Sequence, residues 1–219
     1  PFLRDELTRR LFADTGQVSS HGTFVNLFLN GVYKGYYNPT ERIDADFLQS
    51  WHGGGASWDL IAQGGEVREG TAVEWNSLRS YVNSRDPLVP AFYREMTRRL
   101  EVTNFVDYLL VNIYAAMGDW PHNNWRAGRE RSATGLFRFY VWDGEWSFGY
   151  NHDYSYTTIA NALAGTTEIA SCRRPFRTLA SARSVMVVEN GQLGPFHWQS
   201  SPELAIWKPG WRRSAVVGP

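Results

Sequence analysis

Leu3, Leu7 and Leu11 recur every four positions with charges between them, which predicts an amphipathic helix over residues 3–12, closed by Gly16. Residues 23–38, TFVNLFLNGVYKGYYN, hold two β-prone runs around Asn30-Gly31. That pair supplies the positive φ angles of a tight hairpin turn. Asp44 stands where an N-cap belongs, ahead of a short helix through Trp51 that stops at Gly53-Gly54-Gly55. Residues 56–73 are Gly-rich and read mostly as loop. Trp75, Leu78 and Val82 mark a second short helix, and Pro90 to Leu100 a third with proline in its first turn. The clearest helix covers 104–118, capped at Thr103 or Asn104. Its Phe105, Val106, Leu109, Leu110, Ile113, Tyr114 and Met117 recur at steps of three and four, as a buried face requires, and Gly118 ends it. Residues 136–142, LFRFYVW, predict a strand that delivers Asp143 at its end.

Beyond residue 170 this patterning fades, and residues 171–219 form a basic stretch with seven Lys or Arg against two Glu. The absence of any sustained period there favours a shifted reading frame over a divergent tail. The chain as a whole has 219 residues, 43% hydrophobic and 20% charged, which excludes a disordered protein and gives one domain with or without an appendage. No run of ~18 apolar residues offers a membrane span. No signal peptide follows Pro1, and a chain that starts at proline reads as part of a longer one. A net charge of zero argues against nucleic acid as the main partner. The single cysteine, Cys172, excludes an internal disulfide. Ten Trp suit either a Trp-rich core or a stacking surface for sugar or nucleobase.

Three acidic positions could carry chemistry. In Asp119-Trp-Pro-His-Asn-Asn124 an Asp leaves a helix and an Asn follows five residues later. Phosphoryl transfer uses this spacing, with a carboxylate facing the incoming hydroxyl and an amide oxygen turned toward a metal ion between phosphates. A helix terminus followed by a Pro-Asn turn gives the same spacing. Asp143-Gly-Glu145 follows a strand, where Mg²⁺ would find hard oxygens, yet Asp-Gly there also spells a two-residue hairpin turn. Glu41, just after the first hairpin, is the third. The five histidines lack zinc-ligand spacing, no Gly-rich phosphate loop follows a strand, and no Gly-x-Ser-x-Gly is present.

Taken together, LRDELTRRLFADTG (3–16), FVNLFLNGVYKGYYNPTERIDADFL (24–48), NFVDYLLVNIYAAMGDWPHNNW (104–125) and FRFYVWDGEWSFG (137–149) resemble the CotH kinase family of spore-coat-type atypical protein kinases. The resemblance covers roughly residues 3–165, so the organisation it implies is a partial kinase-like domain at 1–170 and a tail at 171–219. It implies an α+β, atypical protein-kinase-like fold, truncated at the N-terminus. Asp119 would be the catalytic base, Asn124 and Asp143 metal ligands, and Glu41 the residue that orients a phosphate-binding base. ATP and Mg²⁺ would be the cofactors.

The sequence departs from the family in two places. At the metal position, where Asp-x-Asp is common, it has Asp143-Gly-Glu145, so Glu145 competes with Asp143 for the ion. By the resemblance, the basic residue that holds phosphates falls before Pro1: Lys34 lies at a variable site of the hairpin and Lys208 in the tail, and truncation is favoured over Arg4 or Arg42 standing in. The implied activity is phosphate transfer to Ser or Thr of a secreted, surface or coat protein, with this stretch alone expected to be inactive. The competing class is a non-catalytic pseudokinase, scaffold or aromatic-rich polysaccharide-binding module.

Overall fold

A computed structural model describes residues 2–53, 57–87, 89–150, 187–189 and 192–194. In chain order the elements are helix α1 (Phe2–Asp14), strands β1 (Val25–Leu29) and β2 (Val32–Tyr37), helix α2 (Ala45–His52), strands β3 (Trp58–Ala62) and β4 (Val67–Glu69), helices α3 (Val73–Ser84), α4 (Pro90–Met96) and α5 (Val102–Tyr114), and strands β5 (Trp125–Glu130) and β6 (Arg138–Val141). These belong to a compact unit of residues 1–182. A hairpin of β7 (Val187–Glu189) and β8 (Gln192–Gly194) belongs to a second unit, residues 183–219. The fold class is α+β, as the sequence implies.

An antiparallel sheet in the order β4-β3-β5-β6 organises the first unit. Successive residues of a strand face opposite sides, and here both sides are covered. Ile61, Ala127, Phe139 and Val141 join a large core with Trp75, Leu78, Met96, Phe105, Tyr108 and Trp125 from α3, α4, α5 and the start of β5. Trp58, Leu60 and Tyr140 face the other way, onto Ile43, Phe47 and Leu48 around α2. A strand buried on both faces shows no polar alternation. For that reason residues 56–73, read as loop, in fact contain β3, whose five residues Trp-Asp-Leu-Ile-Ala are all buried, and β4.

The hairpin forms as expected, with Asn30 at φ +50° and Gly31 at φ +76° in its turn. Asp44 caps α2 by accepting the Phe47 N–H at 3.0 Å. Removing that acceptor should cost about 1 kcal/mol, so Asp44→Ala should lower the unfolding free energy by that amount and shift the denaturant midpoint down, and an unchanged midpoint would show the cap to be idle.

Two helices turn differently from their leucine patterns. In α1, Leu3 and Leu7 are exposed, and the buried side carries Glu6, Thr8, Arg9 and Phe12. Arg9 makes that possible, donating to Asp5, Glu6, Asn38 and the Ser20 carbonyl, so its charge is paired rather than stranded. Helix α5 is capped by Glu101, one turn earlier than Asn104, and it ends at Tyr114, not at Gly118. Its buried face holds Asn104, Phe105, Tyr108, Val111 and Asn112, while Leu110 and Tyr114 are exposed. Asn104 bonds both backbone groups of Phe139, holding α5 against β6.

At the end of α2, the His52 Nε2 lies 2.8 Å from the Tyr140 hydroxyl. Burial, reinforced by the Arg138 charge, pushes the His52 pKa down to about 4. Because the folded value lies below the unfolded one, near 6.5, the neutral ring contributes stability above pH 6.5 that is lost as pH falls toward 4. The loss is at most about 3 kcal/mol. Melting temperature should therefore drop between pH 6.5 and 4, and His52→Gln should flatten that limb. An unaltered limb would place the acid sensitivity elsewhere.

Candidate active site

Asp119 follows the end of α5, and Asp143 follows the end of β6. Two backbone ties bring these exits together: Gly118 N–H donates to the Trp146 carbonyl at 2.8 Å, and Phe148 N–H donates to the Ala115 carbonyl at 2.7 Å. The loop after Asp119 is anchored by Trp120, buried, whose Nε1 donates to the Tyr108 hydroxyl at 2.7 Å. The Trp120-Pro121 bond is cis. Asn124 is buried with φ +54°, and β5 starts at the next residue.

Asn124 holds the site together. Its Nδ2 donates to Asp119 Oδ2 at 2.6 Å and to the Asp143 carbonyl at 3.3 Å. The amide nitrogen therefore faces Asp119, and the amide oxygen is turned away from it. Asp143 has φ +57°, and residues Gly144–Trp146 form a 3-10 turn instead of the two-residue hairpin that Asp-Gly alone would allow. Helix α1 braces this turn. Asp5 Oδ1 accepts the Gly144 N–H at 2.7 Å, and a Cβ at Gly144 would lie 3.0 Å from the Thr8 side chain. Ser147 Oγ donates to the Gly144 carbonyl at 2.6 Å.

The carboxylates are crowded. Burial pushes the Asp143 carboxyl up to about 6, with further upward pressure from its hydrogen bond to Glu145 and from the charges of Glu145, Asp119 and Asp5. Asp119 is also raised, chiefly by burial and further by Glu145, while its own backbone N–H, His122 and Asn124 pull it back. Asp119 Oδ1 is buried without a hydrogen-bond partner among the described residues. Such an oxygen lacks a proton donor or cation.

Among the described residues no group of three or more His, Cys, Asp or Glu is placed to hold a metal ion. Magnesium in phosphoryl-transfer sites needs fewer protein ligands, taking one or two carboxylates and completing its shell with phosphate and water. Asp143, Glu145 and the Asn124 amide oxygen are hard donors of that kind, and a divalent cation would relieve the repulsion between the Asp143 and Glu145 carboxylates. The residues fit the ion.

Glu41 stands apart from this group. Its carboxylate is exposed and accepts the His21 N–H at 2.8 Å, with no described contact to Asp119 or Asp143. Two residues that the sequence did not single out are here. Asp5 reaches the site across the tertiary fold. Arg126, two positions after Asn124, is buried on β5 and feels the Asp143 charge. Strand β5 gave no sequence signal for Arg126, because its first four residues are all buried and show no polar alternation.

The family model described as CotH kinase protein matches residues 1–182 of the chain. No curated protein matches it.

Proposed function

Since the chain belongs to the CotH kinase family over residues 1–182, we propose that it is a protein kinase domain that transfers the γ-phosphate of ATP to a Ser or Thr hydroxyl of a secreted, surface or coat-type protein. The observation that supports this most is the Asn124 amide, which holds Asp119 Oδ2 on one side and the Asp143 backbone on the other. Held by Asn124, the Asp119 carboxylate is in this reading the acceptor of the substrate hydroxyl's proton. A base whose pKa is raised accepts that proton more readily. Asp143 and the Asn124 oxygen, with Glu145 beside them, would hold Mg²⁺. When bound, the ion supplies neutralisation of the phosphate charge. Asp5, through Gly144, fixes the turn that aims Asp143. Trp120 and Tyr108 hold the Asp119 loop against α5. The partner is thus a protein, and no helix among the described residues is long and apolar enough to cross a membrane.

A binding-module reading draws on one observation, the β1–β2 hairpin that leaves Phe28, Tyr33, Tyr36 and Tyr37 exposed. The two separate in one experiment. The protein is incubated with γ-labelled ATP and Mg²⁺, with and without a protein acceptor, and phosphoserine or phosphothreonine is sought by mass spectrometry. Label on a hydroxyl supports the kinase. If neither transfer nor ATP binding occurs, and Tyr36→Ala abolishes retention on a polysaccharide, the binding module stands instead.

A further inference from the structure

We propose that Arg126 is the cation that grips the phosphates of the nucleotide, opposite the Asp143–Asn124 side of the site. This inference rests on the kinase reading above for the nucleotide, but the anion site itself is argued from the chain.

Arg126 is 7% exposed. A buried guanidinium ordinarily has a carboxylate partner, since an unpaired buried charge is costly. Among the described residues Arg126 has no carboxylate within ion-pair distance; its protein acceptors are neutral, Gln63 Oε1 at 2.7 Å and the Trp125 carbonyl at 3.0 Å. Both are reached from Nη1, so Nε and Nη2 have no described acceptor. The fork is held in place nonetheless. Gln63 fixes Nη1 from the turn between β3 and β4, and the Trp142 ring lies beneath the guanidinium with its centroid 4.6 Å away. A flat cation stacked on an aromatic face and bonded at one nitrogen presents its free edge in a set direction.

Its surroundings add to the positive charge. Arg42 and Arg68 both lie close enough to act on Arg126, and Glu66, a carboxylate that also acts on it, is already paired with Arg68 at 2.9 Å. Two exposed arginines beside a buried unpaired one repel each other until an anion enters. The position suits a polyphosphate. Trp142 immediately precedes Asp143 on the chain, and Arg126 lies two residues beyond Asn124. A phosphate chain between them would meet the carboxylate and amide oxygens through a cation at one end and the guanidinium fork directly at the other. Arginine forks match phosphate oxygens two at a time. Neither lysine of the chain is needed for this, nor Arg4, whose guanidinium lies over the Tyr150 ring.

The probe is inorganic tripolyphosphate without metal, measured by calorimetry on the whole protein. The parent should bind it with an affinity that falls as salt rises, ATP should compete, and a phosphoserine peptide should not. Arg126→Met should weaken binding at least tenfold while near-ultraviolet circular dichroism keeps the parental signal. Asp143→Asn should bind tripolyphosphate at least as well as the parent, although it loses the Mg²⁺-dependent mode. Arg68→Gln, on the exposed rim, provides a variant that folds like the parent and should bind about threefold more weakly. Parental tripolyphosphate affinity in Arg126→Met and Arg68→Gln would overturn the assignment, as would no binding by the parent. If Arg126 governs tripolyphosphate binding but the parent neither binds nor turns over ATP, the anion site stands and the kinase reading falls. If the peptide competes and ATP does not, the site belongs to a phosphorylated acceptor and the nucleotide assignment fails.

Discussion

Replacing Asp119 with Asn is expected to lower phosphate transfer by ~10²–10⁴-fold, the range seen when a general base is lost. Affinity for Mg–ATP should stay within about twofold, because the substitution acts on the chemical step. The shape of the site survives the exchange. Asn124 Nδ2 now donates to Asp119 Oδ2 at 2.6 Å, and an amide oxygen at residue 119 would accept the same bond. What disappears is the carboxylate's capacity to take up a proton. An amide at residue 119 cannot act as a base, so the substrate hydroxyl keeps its proton. The split between kcat and KM is therefore the informative measurement, together with the acid limb of the pH–rate profile, which should vanish with the carboxyl that produces it. Parental turnover in Asp119→Asn would reduce Asp119 to a helix-end residue and the Asn124 bond to a loop brace.

Local chemistry was legible wherever a residue's own backbone demand fixed the outcome. Asn30-Gly31 makes its turn, Asp44 caps α2, and Pro90 opens α4. The positions of the candidate residues were legible for a related reason: Asp119 and Asp143 follow the ends of elements whose apolar runs announce them, and Asn124 follows at a fixed interval. The leucines of α1 misled because its buried side is stabilised by ion pairs, Arg9 with Asp5 and Glu6, which no hydrophobic period reports. Strand β3 was hidden by burial on both faces and by the glycines that follow it. Gly128 on β5 shows the same logic, since a Cβ there would meet Leu48 at 2.7 Å. Glycine at that position marks a close approach between layers, which no periodicity in the sequence reports. Asp5 reaches Gly144 across 139 positions, and Arg126, close to Asn124 in the chain, is fixed by tertiary contacts to Gln63 and Trp142. Neither set of contacts is visible in the sequence.

Asp143→Asn should separate stability from function at this site. Asparagine tolerates the left-handed backbone that Asp143 adopts at φ +57°, and the carbonyl that accepts from Asn124 is kept. The folded carboxyl is raised from 3.8 to about 6. Stability from its neutral form is therefore fully present below the unfolded pKa and is lost as pH rises through about 6. At pH 7.5 the ionised Asp143 strains against Glu145, Asp119 and Asp5. A fully buried group with that shift would cost about 3 kcal/mol, but the Asp143 residue is exposed and solvent screens it, which leaves about 1 kcal/mol. The metal-free variant should melt above the parent at pH 7.5 and lose that advantage near pH 4. With Mg²⁺ and a non-hydrolysable ATP analogue at about 100 times its dissociation constant, the parent should gain about 2.7 kcal/mol of stability. Asp143→Asn should gain far less from the same addition. Glu145→Gln decides which carboxylate dominates. It relieves the same crowding, so it too should stabilise the metal-free protein, but it should keep most of the Mg²⁺-dependent gain. The reverse pattern, gain retained in Asp143→Asn and lost in Glu145→Gln, would move the metal to Glu145. Loss in both would make the pair a shared ligand, consistent with carboxyls close enough to hydrogen-bond each other.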